Sequence, residues 1–213
     1  DLKWDFNPSP SELISVTGFY KLIKHPISRI EVASAGGYLS YENIADRATV
    51  AGVEVELRKK LFQMDDKTQD SQSLSVGFNG SYLMTNADIP LATVTTGSQL
   101  EGAAPLILNM DLSHVLVRGK LNFTNTLVAN FVSDKVYTIG TQGYSDIKEK
   151  SVFTLDFVSQ AKLNKYISLS LKARNLLNPS YQLNRKANEN GNKIILNSYR
   201  KGINISLGVS CTL

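Results

Sequence analysis

One stretch of the sequence carries charged residues at every second position, and this set resembles a chemical site more than any other in the chain. Between Thr49 and Leu61, charged and apolar residues alternate, so the two sets fall on opposite faces of a β-strand. Such a stripe could line a substrate path, but it is more typical of a hydrated wall, since an unpaired buried charge is very costly. The charged set is Glu54, Glu56, Arg58 and Lys60.

The residue types that usually perform catalysis or bind metals form no recognisable set. His25 and His114 lie on different predicted strands, and neither a Cys nor a group of carboxylates stands at ligand spacing from them. Asp5 and Asp156 do not form a recognisable acid/base pair. Neither a Gly-rich phosphate loop nor a nucleophile elbow is visible. We therefore expect a protein that is not an enzyme and that has no metal and no cofactor.

The composition argues against a helical membrane protein and against nucleic-acid binding. Although 42% of the 213 residues are hydrophobic, no run of eighteen apolar residues occurs. The net charge is +4 and the basic residues are scattered, so we expect no nucleic-acid partner. The single cysteine, Cys211, falls on an apolar strand face and is interpreted as a small hydrophobic side chain.

The last stretch of the chain, Gly202 to Leu213, shows the cleanest alternation of apolar and polar residues. A helix would mix the two sets, so the pattern predicts a β-strand with one apolar and one wet face. Its twelve residues exceed the roughly 5–6 of strands in soluble proteins and match the ~9–11 of a tilted membrane-spanning strand. We therefore predict a strand of a transmembrane β-barrel.

About nine such strands follow one another, joined by connections that are alternately short and long. This is the up-and-down pattern of outer-membrane barrels, with brief periplasmic turns and extended outer loops. A single-chain antiparallel barrel of the bacterial kind needs an even strand number, so about nine strands predict a sector of a larger wall. We expect one β-barrel segment over residues 1–213, without a domain boundary. The long connections are predicted at about 26–47, 86–105, 132–150 and 178–199.

Several short motifs, taken in order, resemble the late barrel of TonB-dependent outer-membrane receptors, most closely those of the Bacteroidetes. The resemblance covers essentially the whole chain. It implies an all-β, antiparallel plugged barrel of about 22 strands, of which this chain would be the C-terminal sector, with the plug domain absent. One departure is Leu213, since such barrels usually end on an aromatic residue. The motifs are Asp5–Lys21, Glu101–Pro105 with Asn109, Asp146–Lys150 with Asp156, Ala173–Pro179 with Tyr181, and Tyr199–Gly202.

The resemblance implies a barrel wall, in the bacterial outer membrane, of a receptor that imports a scarce nutrient such as a siderophore, cobalamin, a glycan or a peptide. Implied partners are outer-membrane lipid, a surface lipoprotein, and the N-terminal plug and remaining barrel strands, which this chain lacks. TonB would be contacted through that missing part. Two alternatives stay open. One is a small free-standing outer-membrane barrel with a structural or adhesive role. The other is a soluble β-sandwich binding module, which would bury its apolar faces against each other.

Ligand contacts are expected from tyrosines and arginines of the long connections. Loops on a rigid scaffold commonly carry recognition, and Tyr gives contact area at little entropic cost. The alternative for each is that it only packs the loops. The predicted set is Arg29, Tyr38, Tyr41, Tyr144, Tyr181 and Arg185. Aromatic residues at strand ends fit either an interfacial girdle or ordinary packing; they include Trp4, Phe6, Phe62 and Tyr166.

Overall fold

The protein is built from β-strands. A computed structural model describes residues 1–32, 38–65, 70–87, 89, 99–140, 145–187 and 192–212, and within them backbone hydrogen bonding defines fifteen strands and no helix. In chain order the strands are β1 (Leu2–Phe6), β2 (Leu13–Lys24), β3 (Ile27–Glu31), β4 (Leu39–Asn43), β5 (Arg47–Asp65), β6 (Ser71–Ala87), β7 (Leu106–Arg118), β8 (Leu121–Val132), β9 (Lys135–Thr138), β10 (Ile147–Glu149), β11 (Val152–Lys162), β12 (Ile167–Arg174), β13 (Tyr181–Lys186), β14 (Lys193–Tyr199) and β15 (Asn204–Cys211). In the same part of the chain there is no helix long and apolar enough to cross a membrane.

Nine of these strands form one antiparallel sheet, which we call the wall. Its spatial order is β1-β2-β5-β6-β7-β8-β11-β12-β15, so each strand pairs with its predecessor and successor among the nine. The connections between them are alternately short and long, as predicted, and all four long ones leave from the same end of the wall. The prediction of an all-β, antiparallel fold with about nine wall strands is confirmed.

The two faces of the wall differ in polarity. On the apolar face, Val53 is 45% exposed, Leu169 39% and Leu207 82%. A soluble sandwich would bury such residues in a shared dry interior, so that alternative is wrong for the described structure. The opposite face carries a row of polar residues in direct register from strand to strand. The row consists of Asp5, Ser15, Glu56, Asn79, Asn109, Asn130 and Thr154.

Among the residues that the structure describes, three of the long connections contain strands of their own, which the sequence pattern did not predict. β3 and β4 form a hairpin in the first connection. β9 and β10 of the third connection join β13 and β14 of the fourth in a sheet of order β14-β13-β10-β9. These strands have three to seven residues, too few for a visible alternation of polar and apolar positions.

The buried core lies at the long-connection end and not beneath the wall. Ile139 of the third connection bridges Ile30 of β3, and its backbone N–H donates to the carbonyl oxygen of Arg29 at 3.0 Å. We call β3, β4, β9, β10, β13, β14 and residues 99–104 the loop platform. Its core with the adjoining wall ends comprises Ile30, Ile44, Ala45, Ala48, Ala87, Leu100, Val136 and Ile139.

Two strands of the wall differ in length from their prediction. β15 begins at Asn204, two residues later than predicted, because Gly202 has a φ of 80° and its N–H is held by the side chain of Asn178. β5 is longer than predicted, with nineteen residues, and contains an irregularity between Lys60 and Phe62. A bulge of this kind shifts the following residues by one position, so Phe62 pairs with Leu74 of the apolar face.

Polar residues interrupt the apolar face near the short-turn end of the wall. Asn125, which breaks the alternation of β8, lies opposite His114 and accepts a hydrogen bond from the Ser159 hydroxyl at 2.7 Å. The His114 ring in turn contacts the Gln72 amide at 2.7 Å. Each pair satisfies its own polar groups. Phe62 lies in the same register, because it pairs with Leu74 and Leu74 pairs with His114. An aromatic residue beside these polar groups fits the rim of a membrane-spanning wall.

Gly52 is a position where a larger residue will not fit. A Cβ atom there would lie 2.5 Å from the ring of Phe19 and 2.6 Å from the carbonyl oxygen of Tyr82. We therefore expect Gly52→Ala to lower the free energy of unfolding by about 1–3 kcal/mol, through overpacking. Gly18→Ala on the adjacent strand is the control, since nothing lies within 4 Å of its added Cβ. Urea unfolding in lipid vesicles measures both, and equal stabilities would contradict the close approach.

Candidate functional site

Arg29, one of the predicted ligand-binding residues, is enclosed by residues of three long connections. Its guanidinium donates to the Tyr41 hydroxyl at 3.2 Å from Nε and 3.1 Å from Nη2, and it lies 4.3 Å from the centre of the Tyr137 ring. Glu101 is 3.6 Å from Nη2 and also accepts the backbone N–H of Arg29. The bond to Tyr41 is the main influence that raises the pKa of Arg29 above its ordinary value, so the group stays charged.

Arg185, a second predicted residue, forms an ion pair with Glu31 between the fourth and first long connections. The side chains are only 13% and 20% exposed, respectively. Arg29 and Arg185 therefore both join different connections of the loop platform. This geometry supports a role in holding the platform together, while contact with a ligand stays a prediction for both.

The four predicted tyrosines are placed differently from one another. Tyr38 and Tyr41 are largely exposed, at 69% and 62%. Tyr181 stacks on Tyr199 with ring centres 5.3 Å apart, and the Lys201 ammonium lies 4.0 Å from the Tyr181 ring centre. Tyr144 lies outside the described residues. The structure thus brings Arg29 and Tyr41 into contact and leaves Tyr181 in a separate aromatic cluster.

Two neighbouring cavities open at the platform, and sequence reasoning predicted neither. The first, which we call the loop cavity, has a volume of about 300 Å³ and is lined by residues of the third and fourth connections. The second, the rim cavity, also has about 300 Å³ and includes Asn130 and Thr154 of the polar face of the wall. Lys150 lines both. The rim cavity therefore has lining residues from both the platform and the polar face of the wall.

The polar face of the wall offers hydrogen bonds and charges. Asn109 donates to Asn79 at 3.3 Å, and Asn130 donates to Thr154 at 3.5 Å. Within the charged stripe of β5, Arg58 pairs with Glu56 at 2.8 Å. In the described ranges, no group of three His, Cys, Asp or Glu side chains is arranged to hold a metal ion. This arrangement suits a hydrated surface along which a solute can move.

The Asn-Leu-Leu-Asn block, residues 175–178, has a structural explanation. Asn175 and Asn178 have φ angles of 57° and 43°, in the left-handed region that Asn tolerates better than most residues. The backbone N–H of Asn175 donates to Asp156 at 2.8 Å, and its side-chain amide donates to the Gly202 carbonyl at 2.6 Å. The Asn178 side chain accepts the Gly202 N–H at 3.0 Å. The block fastens the end of β12 to the start of β15.

Asn175→Ala is expected to lower the free energy of unfolding by about 2 kcal/mol, because it loses a hydrogen bond and strains a left-handed residue. Asn175→Gly separates the two effects, since Gly keeps the backbone angle at no steric cost and loses only the hydrogen bond. Chemical denaturation in lipid vesicles gives both values. A glycine variant as unstable as the alanine variant would rule out the contribution from the backbone angle.

Comparison with known proteins adds one finding. The model of the family described as "TonB dependent receptor-like, beta-barrel" matches residues 1–176. Neither a curated protein nor a solved structure matches the chain significantly. The match spans β1 to β12 and ends within the Asn-Leu-Leu-Asn block, so it includes eight of the nine wall strands. The expected resemblance is confirmed at the level of the family: the chain belongs to the TonB-dependent receptor-like β-barrels.

Proposed function

We propose that this chain is part of the wall of an outer-membrane receptor that imports a scarce nutrient in bacteria, with the Bacteroidetes type suggested by its motifs. The observation that carries the proposal is the family match over a wall with one exposed apolar and one polar face. In lipid, the apolar face is favourable and strand pairing satisfies the backbone, whereas the polar face needs a water-filled passage. The substrate is a siderophore, cobalamin, a glycan or a peptide.

Further strands are needed to close the barrel. β1 and β15 are the two edges of the wall, and as first and ninth strands of an antiparallel meander they run in the same direction. An antiparallel barrel cannot be closed by pairing two such strands. We therefore propose that residues 1–213 are one uninterrupted sector of a larger barrel, which disfavours the small free-standing barrel.

The proposed partners follow from the two faces. Barrels of this family work with a plug domain and TonB, and the polar face of the wall would contact such a plug. Glu56 and Arg58 of the charged stripe, which pair with each other at 2.8 Å, supply charges and hydrogen bonds for that contact. Outer-membrane lipid covers the apolar face. A surface lipoprotein, the remaining proposed partner, would contact the loop platform, where Tyr38 and Tyr41 are exposed.

The test uses the full-length receptor expressed in its bacterium. We expect it in the outer-membrane fraction, extractable only with detergent, and we expect uptake of one nutrient to stop when either the receptor or TonB is deleted. Screening iron chelates, cobalamin, glycans and peptides as sole sources identifies the nutrient. A receptor released as a soluble monomer without detergent, or growth independent of TonB on every source, would contradict the proposal.

A further inference from the structure

The loop cavity gathers lysines from separate parts of the chain onto one side of a sheet. Lys148 of β10 pairs in register with Asn184 of β13. Two residues further along β13, Lys186 pairs in register with Lys193 of β14. Residues in register, or two apart on a strand, share a face of a sheet. Lys148, Lys186 and Lys193 therefore share one face, and with Lys150 they line the cavity.

This arrangement is unfavourable without an anion. Like charges directly opposite each other on neighbouring strands are destabilising, and Lys186 and Lys193 are such a pair. Among the described residues, no carboxylate lies within ion-pair distance of Lys148, Lys150, Lys186 or Lys193. A concave site in which positive charge is in excess concentrates the electric field and attracts anions.

The two carboxylates of the cavity, Asp134 and Asp146, offset part of its charge, and against four lysines they leave an excess of two positive charges. Asp146 is buried and accepts the backbone N–H of Gly140 at 2.9 Å. Asp134 accepts the backbone N–H of Ser151. Arg185, which also lines the cavity, is paired with Glu31. The four lysines therefore remain as the groups that a solute meets.

We propose that the loop cavity binds a polyanionic solute, one that carries at least two carboxylate, phosphate or sulfate groups. Lys148 and Lys150 bind one anionic group and the pair Lys186 and Lys193 binds the other, through charge-assisted hydrogen bonds. A volume of about 300 Å³ admits a small molecule. One consequence of this inference rests on the proposed receptor function, namely that such a solute is the cargo of the receptor or a part of it.

The position of the cavity supports this consequence. Lys150 also lines the rim cavity, which contains Lys201 and the wall residues Asn130 and Thr154. Lys135, in the same cavity, is paired with Glu149 at 3.2 Å. An anion released from the loop cavity therefore meets further cationic and amide donors on its way to the polar face of the wall.

The test is isothermal titration of the full-length receptor in detergent. Citrate and tripolyphosphate are the polyanionic probes, and glucose is the neutral one. We expect both anions to bind, with an affinity that falls as salt rises, and glucose not to bind. Lys186→Gln/Lys193→Gln and Lys148→Gln/Lys150→Gln should each weaken binding by about tenfold or more. Lys120→Gln/Lys165→Gln, at two short turns of the other end of the wall, should change it less than about twofold.

A second arm separates a soluble anion from the phosphates of lipopolysaccharide, which the same lysines could bind. Vesicles with and without lipopolysaccharide are presented to the same variants. The proposal is overturned if neither soluble anion binds, if the cavity variants bind like the wild type, or if only lipopolysaccharide vesicles bind. Anion binding by a receptor that shows no TonB-dependent uptake would support the anion site and contradict the proposed function. Failure of the anion site and failure of the proposed function are therefore distinguishable.

Discussion

Val55→Arg is expected to lower the free energy of unfolding in lipid by about 2–4 kcal/mol, the cost of a cation on the lipid face at mid-bilayer. Val55 stands near the middle of β5, where it pairs in register with Val16 and Gly80, and it is 36% exposed on the apolar face. The long Arg side chain cannot reach water from the middle of a strand that spans the membrane.

The control for Val55→Arg is the same change one residue earlier. Glu54 points to the polar face, where it pairs in register with Thr17 and Ser81 and is exposed. Glu54→Arg should change the free energy of unfolding by no more than about 0.5 kcal/mol. Urea titration of the receptor in lipid vesicles, followed by Trp fluorescence, measures both. Equal losses of stability would show that the two faces are assigned incorrectly.

Glu31→Arg is expected to detach the fourth long connection from the first. The change places a second guanidinium against Arg185 in a site where both side chains are largely buried. Removing one partner of a buried ion pair leaves an uncompensated charge, and we expect a local cost of about 3 kcal/mol. Hydrogen exchange should therefore accelerate about a hundredfold in β10 and β13, and should stay unchanged in β6 and β7 of the wall.

The double variant Glu31→Arg/Arg185→Glu restores opposite charges and should recover a large part of the protection. Lys3→Glu is the matched control, because Lys3 and Asp5 form an ion pair at 3.2 Å whose side chains are 55% and 41% exposed. An exposed pair contributes at most about 1 kcal/mol, so this change should leave the platform protected. A double variant no better than Glu31→Arg would contradict the role of the ion pair.

The wall was predictable from the sequence because each of its strands has one polar and one apolar face. In β5 this difference is repeated over the run from Glu54 to Arg58, and the same period recurs in β7, β12 and β15. The bulge before Phe62 was not predictable, because an inserted residue has no signature in the alternation. The alternation of β8 fails at Asn125, and the reason is not visible in the sequence because its partner Ser159 lies on another strand.

The platform and its cavity were not predictable in the same way. β10 has three residues and pairs with β9, which precedes it in the chain, and with β13, which follows it. The alternation of polar and apolar residues does not reveal which strands pair across such sequence separations. Lys148 and Lys150 are close in sequence, but Lys186 and Lys193 meet them only through the pairing of β10 with β13. Of the predicted ligand residues, Arg29 and Tyr41 were found together because β3 and β4 form a hairpin.

The pairing of the wall has a consequence for exchanging parts between receptors. Because every wall strand bonds only to its neighbours in the meander, a hairpin could be gained or lost without altering any other register. The loop platform does not have this modularity, since one sheet contains β9 and β10 together with β13 and β14, and Arg185 and Ile139 tie both pairs to β3. Glu101 adds the second long connection, because it accepts the backbone N–H of Arg29. A graft that keeps the platform intact therefore has to transplant all four long connections as a set.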